Sequence, residues 1–278
     1  IKDVEFPKAF SEVPKWHKII AESDMAQSFS VDYQKFKNLL LPICNKKNLF
    51  LHIIDDESIK TSNSKSSLPN IKLETPAIIL YTSGTTNKPK GVILSHANIT
   101  SQVKSLVEAW QWTENDFILN ILPLHHIHGI INILTCALWS KAKCEMVEKF
   151  DEKLIWERFL NGNFTLFMAV PTIYTKLCDS WTKLTTNKKQ ALSKIWINFR
   201  LMVSGSSALP KQIFEKWNEI TGHQLLERYG MTETGMILSN TLKGIKTPSY
   251  VGIPLPKVNV MLKNDNGCLL YTSDAADE

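Results

Sequence analysis

Short apolar runs, each ending in a turn rich in glycine, hydroxyl groups or histidine, constrain the fold of this chain more than any other feature. Residues 77–81 lead into TSGTTNKPKG, 117–122 into PLHHIHG, 201–203 into SGSSALP, and 225–227 into RYGMTETG. Further short apolar runs stand at 91–94, 144–147 and 166–170. Between them lie helical patterns: 98–110 with Ile99, Val103, Leu106 and Val107 on one side, then 129–140 and 153–160. Another helix is predicted from Pro210 to Thr221, where proline suits a first turn. Strands alternating with helices predict an α/β fold, with mainly parallel sheets layered with helices. Ligands of such folds bind at loops leaving strand ends, which singles out 82–90, 123–129, 204–207 and 229–234.

The remainder of the chain narrows the function classes. Its 278 residues suffice for one large domain or two ordinary ones, and a 44% hydrophobic share is ordinary for a globular protein. The net charge of +5 comes from scattered lysines, so no nucleic-acid face is expected. Cys44, Cys136, Cys144, Cys178 and Cys268 form no C-x-x-C pair and read as reduced, mostly buried thiols of an intracellular protein. The most apolar stretch, 117–139, is interrupted by Asn120, Pro123, three histidines and Asn132, so no membrane span is expected. Residues 1–60 mix short amphipathic helical patterns with a strand candidate at 49–54, and 61–70 reads as a polar surface loop.

The loops carry the chemistry. Ser83, Gly84, Thr85 and Thr86 offer hydroxyls and close-approach amides, and Lys88 and Lys90 add charge, a set suited to phosphate oxygens. It is no Walker A loop, because Lys90 is followed by Gly91 and Val92 rather than a hydroxyl residue. A plain turn-forming surface loop accounts for the same composition. The histidines of 123–129 read as packing residues, as a gate over a small-molecule pocket, or as metal ligands lacking an acidic or cysteine partner. Tyr229 and Gly230 suit a planar ligand, Thr232 offers a hydroxyl, and Glu233 is either a hard oxygen ligand or an exposed acid at a helix start.

Taken in order, YTSGTTNKPKG, LPLHHIHG, AVPTIY, SGSSALP, ERYGMTE and VGIPLP resemble the adenylate-forming superfamily of acyl-CoA synthetases, luciferases and peptide-synthetase adenylation domains, over residues 77–267. The blocks LPLHHIHGIINIL, MAVPTIYTKL and TGHQLLERYGMTETGMILSNTLKG look most like eukaryotic-type malonyl-CoA synthetases. The resemblance implies an ATP-dependent, AMP-forming ligase that activates malonate or methylmalonate as an acyl-adenylate and passes it to coenzyme A.

It also implies site residues. Thr82, Ser83, Gly84, Thr85, Thr86 and Lys90 would hold the β- and γ-phosphates. Gly205, Ser206, Ser207 and Gly230 would line the nucleotide, with Tyr229 stacking on adenine, Thr232 at the α-phosphate and Glu233 ligating Mg²⁺. Lys90, His126, Thr232 and Glu233 form the catalytic set, His126 shielding the acyl pocket. A buried second carboxylate needs a cation. His128, Lys176 and Arg228 are the candidates: His128 replaces a more usual apolar residue, and Arg228 stands where many relatives have glycine. Two alternatives remain: a medium-chain or aryl acyl-CoA synthetase, and a non-catalytic nucleotide-binding truncation.

Residues 1–267 are expected to form the central part of a large N-terminal AMP-binding domain that is incomplete, the C-terminal domain with its catalytic lysine being missing. The chain as it stands is not expected to turn over. Ile1 is not an initiator methionine, so any targeting peptide lies outside the chain, and relatives of this type imply a mitochondrial or cytoplasmic location. A strand and turn are expected over 258–267, and the string CLLYTSDAADE that follows resembles a translated sequencing adapter. Complementary DNA prepared without transposon tagging is expected to diverge after Gly267; recurrence of the same eleven codons and a stop would reject this.

Overall fold

The computed structural model describes residues 70–82, 89–147 and 149–264. Ser83, Gly84, Thr85, Thr86 and Lys88, the patterns expected before residue 70, and the tail 268–278 lie outside the described residues. The chain divides into two units, Ile1–Lys72 and Leu73–Glu278, and the architecture below belongs to the second.

Strands β1 (Pro76–Thr82) and β2 (Lys90–Ser95) form an antiparallel pair of their own. The loop 82–90 is therefore a hairpin connection, not a loop leaving a parallel strand as the alternation suggested. Helix α1 (His96–Trp110) starts at a capping box in which Asn98 N donates to Ser95 Oγ and Ser95 N to Asn98 Oδ1. Its Val103, Leu106 and Trp110 are buried, the face that the spacing predicts.

Five parallel strands follow: β3 (Phe117–Asn120), β4 (Lys143–Met146), β5 (Leu166–Ala169), β6 (Leu201–Ser204) and β7 (Leu226–Met231). Antiparallel β8 (Gly235–Ser239) and β9 (Ile253–Pro254) complete a seven-stranded sheet in the order β4-β3-β5-β6-β7-β8-β9. Of the strand and turn expected over 258–267, the described residues 258–264 hold only a single bridge at Lys263; the pairing segment is β9, a few residues earlier, and Leu255 N donates to Ile237 O.

The crossover from β3 to β4 is a π-helix (His128–Thr135) continued by α2 (Cys136–Trp139). Those from β4 to β7 are α3 (Glu152–Asn161), α4 (Pro171–Trp181), α5 (Thr186–Ile195) and α6 (Lys211–Thr221). The sequence pattern missed α5, whose ten residues bury only Leu192 fully. Strand order runs one way from β3 to β4 and the other way from β5 to β7. Right-handed crossovers then place the π-helix and the α4–α6 group on opposite faces. The reversal makes a switch point between β3 and β5, where such sheets open a crevice. β5 and β6 are buried along their whole length, as expected of strands covered on both faces.

Beneath α3, α4 and α6 lies an aromatic core. Trp156 stacks on Trp217 at 6.4 Å between centroids, and Phe159 and Phe167 pack edge to face with centroids 5.0 Å apart. Tyr174 Oη donates to Val203 O at 2.9 Å, tying α4 to β6.

Three residues, each just before a strand, meet at the amino-end edge of the sheet: Asp116 before β3, Thr165 before β5 and Arg200 before β6. Arg200 grips Asp116 through Nε (2.7 Å) and a terminal nitrogen (2.6 Å), while its other terminal nitrogen donates to Trp110 O. Thr165 Oγ1 and Thr113 N donate to the same carboxylate at 2.8 Å. Burial alone would raise the pKa of Asp116, but the Arg200, Thr113 and Thr165 hydrogen bonds and the arginine charge outweigh it and hold the carboxyl below its ordinary value. Because the folded value is depressed, this stabilisation is present above the unfolded value of 3.8 and is lost as pH falls through the folded one. Arg200→Leu is expected to cost about 3 kcal/mol, the low end for breaking a buried pair, because the arginine side chain is 31% exposed. Urea midpoints at neutral pH check this, and an unshifted midpoint would reject it.

Candidate active site

The loops 123–129, 204–207 and 229–234 lie at the carboxyl ends of β3, β6 and β7, along one edge of the seven-stranded sheet. The β6–β7 register pairs Ser204 with Glu227, so Gly205 and Ser206 run beside Arg228. A Cβ at Gly205 would lie 2.5 Å from Arg228 Cζ, so glycine is required for the guanidinium to lie against the backbone. Ser206 takes a positive φ of 75°, and its Oγ accepts from a terminal nitrogen of Arg228 at 3.2 Å. The same Oγ lies 3.4 Å from His128 Nδ1. His128 and Arg228 are buried, at 4% exposure each.

Their electrostatics follow from that burial. Desolvation brings Arg228 down to about 10, which leaves it cationic at neutral pH. Desolvation first, then the charges of Arg228 and His126, push His128 well below the ordinary imidazole value, so it is neutral. Arg228 has no carboxylate within ion-pair distance among the described residues. Glu227, its neighbour on the strand, faces elsewhere: it accepts from Ser249 N at 2.9 Å and is also bonded by the Leu209 amide. A buried cation without a partner anion is a place where an anion gains most.

The three histidines of 123–129 do not converge. His125 and His126 are exposed with ring centroids 4.3 Å apart, and only His128 points inward. Gly129 packs so closely on the Pro123 carbonyl that any side chain there would collide. Among the described residues no group of three histidine, cysteine or acidic side chains could hold a metal.

Thr232, Glu233 and Thr234 form the turn between β7 and β8, so Glu233 sits in a hairpin turn and not at a helix start. Thr82 Oγ1 donates to Glu233 Oε1 at 3.5 Å, and Thr82 pairs with Lys90 in the β1–β2 register. Thr82, Lys90 and Glu233 thus gather at the base of the hairpin loop. One exposed carboxylate with a hydroxyl beside it fits Mg²⁺, which takes one or two protein carboxylates and completes its shell with phosphate oxygens and water.

Tyr229 is 48% exposed and Ser207 exposed, both open to a planar ligand, and a bulge at Tyr229/Gly230 sets the turn. Gln102 of α1, which sequence reasoning passed over, accepts from Met236 N and clamps β8 to the helix; Gly235, at φ +70°, leaves room for it. A cavity of about 210 Å³ opens there, lined by Gln102, Ile127, Ile131 and Glu233.

Lys176 is the exception among the substrate candidates. It is exposed on α4 with Nζ 5.6 Å over the Phe150 ring, and no hydrogen bond or ion pair joins it to His128 or Arg228 among the described residues. Its place on the helix surface explains this: Tyr174 and Leu177 take the buried side of α4.

Against this geometry stand the known proteins. The AMP-binding enzyme family matches residues 16–273, and the chain belongs to that family. The mitochondrial malonate–CoA ligase of Bos taurus is 51% identical over 198 residues, 68% of this chain and 33% of the relative. The mitochondrial malonate–CoA ligase of Xenopus laevis is 39% identical over 277 residues, 95% of this chain and 47% of the relative. Apo MatB from Rhodopseudomonas palustris superposes with a TM-score of 0.75 at 31% identity, covering 86% of this chain and 47% of that one. ATP-bound MatB from the same organism superposes at 0.69 with 34% identity, over 78% and 42%. The chain thus spans between a third and a half of the length of these curated relatives.

Because the folded value of His128 is depressed, its contribution to stability is present above the unfolded value of 6.5 and is lost as pH falls. His128→Gln is expected to flatten the loss of melting temperature between about pH 6.5 and 5. Parallel pH profiles of variant and wild type would contradict the burial and neutrality of this ring.

Proposed function

We propose that the full-length protein joins malonate or methylmalonate to coenzyme A with ATP, through an acyl-adenylate and release of pyrophosphate. The observation that carries this reading is the buried Arg228 guanidinium, with no carboxylate partner among the described residues, held by Ser206 beside neutral His128 at the carboxyl end of the sheet. An acid with a second carboxylate supplies the missing anion. The names of relatives, malonate–CoA ligases from animals and Arabidopsis thaliana, support the same choice. So does a solved malonyl-CoA ligase complex with methylmalonyl-CoA and AMP, at 30% identity and a TM-score of 0.64. The animal relatives are named as mitochondrial, and that location is part of the proposal.

In this reading each residue has one task. Thr82, Ser83, Gly84, Thr85, Thr86 and Lys90 hold the β- and γ-phosphates, where negative charge grows as pyrophosphate leaves; preorganised donors at such a place are worth about 3 kcal/mol each. Gly205, Ser206, Ser207 and Gly230 leave space along the nucleotide, and Tyr229 stacks on adenine. Thr232 donates to the α-phosphate. Glu233 would hold Mg²⁺, whose positive charge would offset that of the phosphates. His126 covers the acyl pocket against water, and coenzyme A then receives the acyl group. Arg228 and His128 orient the acid through its far carboxylate, so that the near one faces the α-phosphate. Lys176 lies outside this set.

Carboxylate-dependent AMP release by the full-length enzyme tests the proposal. Malonate or methylmalonate is expected to outpace acetate and the C8 to C16 fatty acids, and faster reaction with any of those fatty acids would reject it. Arg228→Gln is expected to raise the malonate KM about 100-fold, as for loss of one partner of a buried charge pair.

A further inference from the structure

Asn132 is 0% exposed, and neither its Nδ2 nor its Oδ1 has a hydrogen-bond partner among the described residues. A buried amide left without partners is costly, and native proteins rarely carry one without a reason. Asn132 lies in the π-helix, a backbone form that appears mostly at functional sites. The i→i+5 ladder of that helix brings positions about four to five apart onto one face. Asn132 therefore follows His128 along one ridge, while Ile127 and Ile131 form the neighbouring ridge that lines the cavity beside Glu233.

Among the described residues His128 Nε2 and Arg228 Nε are, like the Asn132 amide, buried and unbonded. Ser206 Oγ already accepts from Arg228, which leaves its hydrogen to donate to His128 Nδ1; in the tautomer that fits this, the neutral ring carries its proton on Nε2 as a donor. A carboxylate has about four lone-pair sites, more than one arginine edge fills.

We propose that Asn132 is a specificity-determining residue whose amide NH₂ donates to the far carboxylate of a dicarboxylic acid, completing the shell begun by Arg228 and His128. This inference rests on the malonate reading above and adds to it a residue from a different ridge of the fold. In the free protein the amide is a standing cost. When the acid binds, that cost is relieved, so the group discriminates against acids that lack a second carboxylate. Sites built to hydrogen-bond a ligand group reject analogues without it strongly, because their own buried polar atoms stay unpaired.

Asn132→Leu, of nearly the same shape, separates this role from a structural one in the full-length chain. The malonate half-saturation is expected to rise about tenfold, with that of ATP unchanged and the activity toward acetate retained. The melting temperature without ligand is expected to hold or rise, because an unpaired buried amide has been removed, while the rise that malonate gives wild type is largely lost. Asn132→Asp, which sets an anion against an anion, is expected to lose malonate use. A fall in melting temperature with unchanged malonate saturation would make Asn132 a structural residue and overturn the proposal, as would equal weakening for malonate and ATP. If wild type itself fails to bind malonate, the functional reading falls and the inference with it. If wild type binds malonate and N132L binds it equally well, the inference alone falls.

Discussion

The carboxylate of Asp116, buried at the amino-end edge of the sheet and receiving hydrogen bonds from Arg200, Thr165 and Thr113, holds three parallel strands in register. Each of Asp116, Thr165 and Arg200 stands one residue before its strand. Their meeting therefore aligns the amino ends of β3, β5 and β6, and equal strand lengths then align the carboxyl ends as well. Backbone bonds from Thr165 N to Phe117 O and from Arg200 N to Thr165 O run along the same line. The site at the opposite edge depends on that alignment, because Ser206, His128 and Arg228 come from three different strand ends.

The edge so defined is electrostatically unfinished. A desolvated guanidinium has been placed where the backbone of Gly205 touches it, next to an imidazole too buried to take a proton. Both groups are held by one serine hydroxyl. Such an arrangement costs stability in the free protein and is suited to an anion. The Thr82–Glu233 contact lies at the base of the hairpin loop, where Lys90 pairs with Thr82.

Most elements of the fold were legible because their periodicity is strong. The strands at 77–81, 91–94, 166–170 and 201–203, and the helices at 98–110, 153–160 and 210–221, appear within a residue or two of the expected limits. Helix α5 was not legible, since a mostly exposed helix has little apolar period to read. Of the strand and turn expected over 258–267, the described part shows no strand beyond a bridge at Lys263, because Ile253 and Pro254, a pair too short to show alternation, take the edge of β8 instead. Composition placed the 82–90 loop at a parallel strand end, whereas β1 and β2 pair antiparallel, a choice made by chain reversal and not by residue type.

The same division runs through the site. The sequence alone determined which loops carry hydroxyls, glycines and charge, because those residue types are local answers to the local demands of tight turns and close backbone approach. The resemblance to the adenylate-forming superfamily, carried by those loops, also singled out Arg228 and His128, whose residue types depart from the usual ones of that family. Only the tertiary structure decided that Ser206 joins those two, that Lys176 points away over Phe150, and that Asn132 is wholly buried with its amide unbonded. These are facts about neighbours far apart in the chain. Burial and partner choice arise from packing of distant segments, and no local pattern records which segment will arrive.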